Sequence, residues 1–170
     1  METNVLADAG RVTLSFIIDT DYILKNFPDA ALNWKGPIRI DSRFLSMISD
    51  IKAVASGYNT REIKIRANTG DKISFSAEPK SYISKDFIRI YKIVPWIGRL
   101  ELLGDNVMPD KEYGIQDSNE PETRSFIANV KRKGLEQLEI RFAFYTLSDD
   151  GISYNLHGNF YCDLLSLDLV

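Results

Sequence analysis

The sequence predicts an all-β protein: an antiparallel β-sandwich, jelly-roll-like, with about eight to ten strands and little helix. Three observations carry that expectation. Arg61 to Ala67, Lys72 to Ala77 and Leu138 to Thr146 alternate apolar and polar residues with the period of a strand. No stretch shows a long apolar stripe at helical spacing. No motif recurs at a fixed interval. The alternation sends Ile63, Ile65, Ile73, Phe75, Leu138, Ile140, Phe142 and Phe144 to buried faces and leaves Glu62, Lys64, Arg66, Glu139 and Arg141 facing outward.

Residues 1–10, small and acidic, form a loose leader, and residues 11–170 form one domain. The first strand runs through Val12, Leu14, Phe16 and Ile18, with Ile17 pointing to burial on both faces near its end. Asp19 stops it. Tyr22, Ile23 and Phe27 stand at helix-like spacing, and Pro28 limits that segment to a short helical turn or an irregular crossing. Trp34, Pro37 and Ile40 anchor a loop over the core. Phe44 to Ile51 fits either period and is read as a strand on whole-fold consistency.

Asn68, Thr69, Gly70 and Asp71 carry turn chemistry between two alternating runs, which predicts an antiparallel hairpin there. Phe87 to Val94, rich in Ile, Tyr and Val, is a strand expected to end where Pro95 removes a backbone donor. Leu100 to Leu103 supplies a short partner. Residues 104–123 hold six acids and one lysine among Pro109, Gly114 and Pro121, and read as a long exposed acidic loop. Arg124 to Val130 resumes a strand and Gly134 turns the chain. Leu138 to Leu147 then pairs with Ile152 to Tyr161 across the Ser148, Asp149, Asp150, Gly151 turn.

A length of 170 residues supports one substantial core, and 44% hydrophobic with 26% charged residues is an ordinary globular composition. The net charge of -3 has the wrong sign for a nucleic-acid surface. The basic run Lys131, Arg132, Lys133 reads as a solvated hairpin end, with no aromatic platform beside it. Cys162 is the single cysteine, so no intrachain disulfide forms, and a reducing cytoplasm fits. The apolar run Leu14 to Ile18 is too short to span a bilayer, and no secretory pattern precedes it. The expected setting is cytoplasmic, with no membrane and no nucleic-acid partner.

His157 is the only histidine, which excludes multi-histidine metal sites and leaves one imidazole base. Cys162 lies five positions further along what reads as the same strand, an odd separation that puts the two on opposite faces. Each is therefore read as structural rather than as half of a Cys–His dyad. Asp19, Thr20 and Asp21 have the spacing of a metal-binding Asp-x-Asp pair, but capping the following turn is the simpler account. Asp105, Asp110, Glu112, Asp117, Glu120 and Glu122 could ligate calcium, but lack EF-hand spacing and suit a solvated loop. Gly134, Gly151 and Gly158 are isolated and make no phosphate loop. Trp34, Trp96, Tyr82 and Tyr113 could stack on a sugar ring, though such aromatics more often serve as partial core or lids. No catalytic, metal or cofactor residue is assigned, and ligand-binding residues stay open.

Phe16-Ile17-Ile18-Asp19-Thr20-Asp21-Tyr22-Ile23, followed by Asn26-Phe27-Pro28, resembles the opening of the bacterial inclusion-body protein family that includes AidA and PixA. Gly70-Asp71-Lys72-Ile73-Ser74-Phe75 is similar to its central turn and strand. Arg141-Phe142-Ala143-Phe144-Tyr145-Thr146-Leu147, Gly151, and Gly158-Asn159-Phe160-Tyr161-Cys162-Asp163 resemble its closing hairpin. The family usually has Trp where Cys162 stands and Pro where Leu164 stands. The resemblance implies a bacterial β-sandwich protein without known catalytic residues, in some members accumulating as intracellular crystalline inclusions. Two functions are expected in turn: a non-enzymatic protein that associates with itself through sheet edges or apolar patches, or a carbohydrate- or small-ligand-binding module. Neither requires a cofactor.

Overall fold

The computed structural model describes residues 10–32, 35–103 and 126–170, which carry eleven strands and one short α-helix. One sheet has the order β3 (Leu45–Ser49), β1 (Arg11–Ile18), β6 (Lys72–Pro79), β9 (Phe126–Asn129), β8 (Glu101–Leu103). The second runs β4 (Val54–Ser56), β5 (Glu62–Ile65), β11 (Tyr154–Leu169), β10 (Gly134–Leu147), β7 (Phe87–Ile97), with β2 (Ile38–Arg39) also paired to β11. Helix α1 (Thr20–Asn26) follows β1. Both sheets are mixed: β1–β6, β2–β11 and β5–β11 are parallel, so the all-β expectation stands and the purely antiparallel one does not.

The apolar residues of both sheets meet in one core. Leu14, Phe16 and Ile18 from β1 and Ile73 and Phe75 from β6 share it with Ile63 and Ile65 from β5 and with Phe142 and Phe144 from β10. Phe16 and Phe75 stack with ring centroids 6.0 Å apart, and Phe142 and Phe160 do so at 5.8 Å. Burying this many large side chains, at roughly 1.5–3 kcal/mol each, is the main favourable term in the fold.

The Asn68–Asp71 turn forms as expected, with Gly70 at φ 96°, the Asp71 N–H donating to the Asn68 carbonyl at 3.0 Å and the Asn68 N–H to Asp71 Oδ2 at 2.7 Å. It is not a hairpin turn. It carries the chain from β5 in one sheet to β6 in the other, and Ile63 and Ile65 of the first strand and Ile73 and Phe75 of the second join the same core. The connection through Lys131–Lys133 likewise joins β9 to β10 across the two sheets, not as a hairpin end. Lys131 pairs with Glu101 at 2.9 Å, and that hydrogen bond holds the Glu101 carboxyl below its ordinary range.

Pro95 does not end β7, which continues to Ile97. The strand lies at the sheet edge, where a missing backbone donor is tolerated. The β10–β11 hairpin is present, longer than the alternation alone marked, and closes through Gly151 at φ 71°. Two residues of β11, Asp163 and Leu164, oppose Glu139 alone in a bulge. Leu164 sits at φ 59°, a conformation closed to proline, whose ring fixes φ near about -65°.

The outer face of β10 is less solvated than its alternation suggested. Glu139 is only 5% exposed and accepts from Arg141 Nε at 2.9 Å. Tyr91, Ala143, Tyr145 and Tyr154 form a second buried cluster, with Phe87, Leu147 and Leu156 packed against it.

Candidate functional site

Parallel pairing of β1 with β6 determines where a site can form. Ile18 lies beside Pro79 and the Lys80 N–H donates to the Ile18 carbonyl at 2.8 Å, so both strands end at the same level. From there the chain diverges. One path enters α1, and the other runs through Ser81, Tyr82 and Ile83 to the opposite sheet. The groove between them has a volume of about 650 Å³ and is lined chiefly by Asp21, Tyr22, Lys25, Phe44, Lys80, Tyr82 and Ile83. A second hollow of about 450 Å³ shares Asp19, Phe44 and Lys80 with it and extends to Arg43 and Asn59.

Capping explains the Asp19 segment. Asp19 is the N-cap of α1, its Oδ1 accepting from the Tyr22 N–H at 3.1 Å while its own N–H donates to the Phe44 carbonyl at 3.0 Å. Those bonds hold α1 against the Ser42–Phe44 turn, which Asp41 caps by accepting from the Arg43 N–H at 3.0 Å. That bond, helped by the Arg43 charge, keeps the Asp41 carboxyl below its usual range. With both turns fixed, the Tyr22 and Phe44 rings lie face to face, centroids 3.5 Å apart and 9° from parallel. The Arg43 guanidinium also stands 5.0 Å from the Phe44 centroid.

Of the two aromatic candidates that fall among the described residues, Tyr82 lines this groove, and it is 97% exposed. Trp96 is exposed on β7, outside the lining. Trp34 and Tyr113 lie outside the described residues, as do Asp105, Asp110, Glu112, Asp117, Glu120 and Glu122. Sequence reasoning missed Ile83, which is 74% exposed beside Tyr82, and the Tyr22–Phe44 stack. The adjacent apolar pair within the polar run from Lys80 to Lys85 was the available signal.

His157 and Cys162 are committed elsewhere. His157 donates from Nε2 to the Phe27 carbonyl at 2.9 Å and packs edge-on against Phe144, tying the end of α1 to β11. Cys162 is fully buried in the core. Burial, with the adjacent Asp163 carboxylate, pushes its thiol up to about 12, the reverse of what an activated nucleophile needs. Arg39 bonds Asp163 at 3.0 Å, which raises the guanidinium further. Among the described residues, no three His, Cys, Asp or Glu side chains converge as a metal site would require. No helix among them is long and apolar enough to cross a membrane.

These residues define an all-β protein of two mixed sheets with an apolar groove at one end. The chain belongs to the PixA inclusion body protein family, whose model matches residues 11–165. The crystal structure of a PixA inclusion body protein from Burkholderia cenocepacia J2315 resembles it with a TM-score of 0.69 at 24% identity, covering 98% of this chain and 99% of that one. That likeness shows the shared fold. No curated protein matches the chain.

Proposed function

We propose that the protein is a non-enzymatic, self-associating member of its family, working in the cytoplasm and assembling with further copies of itself. The observation that carries the reading is the exposure of Tyr82 and Ile83, 97% and 74%, on the rim of an apolar groove. Adjacent large apolar side chains held out to water in this way favour a protein contact. The net charge of -3 opposes close approach of copies only weakly.

Apolar patches support association better than sheet edges do. The edge strands β4 and β8 are three residues each, and β7 carries Pro95. At the β3 edge, Met47 exchanges backbone hydrogen bonds of 2.8 Å with Asn59 and Thr60. Short, proline-bearing or covered edges are the usual protection against strand-to-strand addition. Sedimentation velocity from micromolar to millimolar concentration tests the reading, which expects a weight-average coefficient that rises with concentration. A single monomeric boundary throughout would refute it.

A carbohydrate ligand is the second reading. It is favoured by the open ring faces of Tyr82 beside Asp21, Lys25 and Asn26. Tyrosine fluorescence and chemical shifts of Tyr82 that respond to a monosaccharide panel support it, and unchanged signals across the panel retire it.

A further inference from the structure

We infer that the groove between α1 and Ser81–Ile83 is where a second copy of this chain docks, by two-fold exchange of the Tyr82–Ile83 pair. The inference rests on the self-association reading and specifies its surface. An isologous contact needs one patch that carries both a projection and a recess, because the same residues face each other across the axis. Here both belong to one site. Tyr82 and Ile83 project, and the recess beside them is lined by Tyr22 and Phe44.

Charge on the rim agrees with a second copy. Asp19 and Asp21 supply two carboxylates, and Lys25 and Lys80 two ammonium groups, so the rim carries no net charge and has both signs to offer an identical surface. The aromatic floor is poorly arranged for a sugar. Phe44 stacks on Tyr22 and lies within reach of the Arg43 guanidinium, and Tyr22 meets the Phe27 ring edge-on at 6.1 Å. Rings engaged with one another leave little flat face to a pyranose but still form an apolar wall for an inserted isoleucine. Exposed groups that become buried at the centre of a contact dominate its affinity.

Multi-angle light scattering of the full chain across a concentration series tests this with three variants: Ile83→Glu, Tyr82→Ala and, at the remote exposed site on β7, Trp96→Ala. All three positions are exposed, so unchanged melting temperatures verify that the variants fold. The expected result is association in the wild type and in Trp96→Ala, weakened about 10-fold or more by Ile83→Glu and by Tyr82→Ala. Wild-type association that survives both groove variants overturns the assignment of this surface and leaves self-association standing. A wild type that stays monomeric overturns the self-association reading itself, and this inference with it.

Discussion

Replacing Glu136 by alanine removes the support of the corner between β7 and β8. Its carboxylate is 1% exposed and accepts from the Arg99 N–H at 2.8 Å and the Leu100 N–H at 3.3 Å. A hydrogen bond to a charged group contributes about 1.5–3 kcal/mol. The longer bond adds less, exposed Arg99 regains water, and losing a buried charge offsets part of the damage, so a net cost of about 2 kcal/mol is expected. For a domain of this size that lowers Tm by about 4–8 °C, readable in thermal and urea unfolding with an unchanged m value. Gly98 supplies a coupled test. It lies at φ 115°, and a Cβ built there would be 1.7 Å from Glu136 Oε2. Gly98→Ala should therefore cost less in the Glu136→Ala background than alone, the backbone strain remaining in both. A Glu136→Ala variant with wild-type Tm, or strict additivity of the two changes, would refute this account of the corner.

Other consequences are as direct. Cys162 should resist a thiol reagent at pH 8 in the native state and react at once on unfolding, because its thiol stays protonated until pH approaches about 12; rapid native labelling would contradict its burial. Gly158→Ala should destabilise by about 1–3 kcal/mol, since the new Cβ would lie 2.6 Å from Ala30 Cβ where the short turn Ala30–Leu32 packs on β11; an unchanged urea midpoint would show that this contact yields freely. The Ser153 hydroxyl, then the backbone N–H groups of Ser153 and Ile152, hold the Asp150 carboxyl below its ordinary value. Its stabilisation is complete above the unfolded aspartate pKa of about 3.9 and is lost as pH falls through the lower folded value. Asp150→Asn should accordingly flatten the acid limb of stability, and parallel acid limbs would count against that linkage.

What was legible in the sequence was what period and turn chemistry encode locally. Val12 to Ile18, Lys72 to Ala77 and the closing hairpin were placed because alternation fixes which side chains face the core. Sheet membership was not encoded that way. The Asn68–Asp71 turn reverses the chain equally well within one sheet or between two, and in either case Ile63, Ile65, Ile73 and Phe75 reach the same interior. Pro95 misled because its missing donor ends a central strand but not an edge strand, and edge position follows from long-range pairing. Glu139 was expected in water, yet its face is covered and the charge is answered by Arg141. That Asp19 or Thr20 caps the following turn was readable from local chemistry, and the cap is Asp19. The groove was not, because it exists only where parallel pairing brings the ends of β1 and β6 together, and that contact spans about sixty residues of sequence.

The docking of one copy into another is tested most directly by placing a photo-crosslinking phenylalanine analogue at position 82 and mixing light and isotope-labelled chains before irradiation. Mixed-isotope crosslinks from position 82 to the Asp19–Asn26 segment of the other chain are the predicted result. Crosslinks confined to single-isotope pairs at all concentrations, or directed between chains to the Trp96 surface instead, would contradict it.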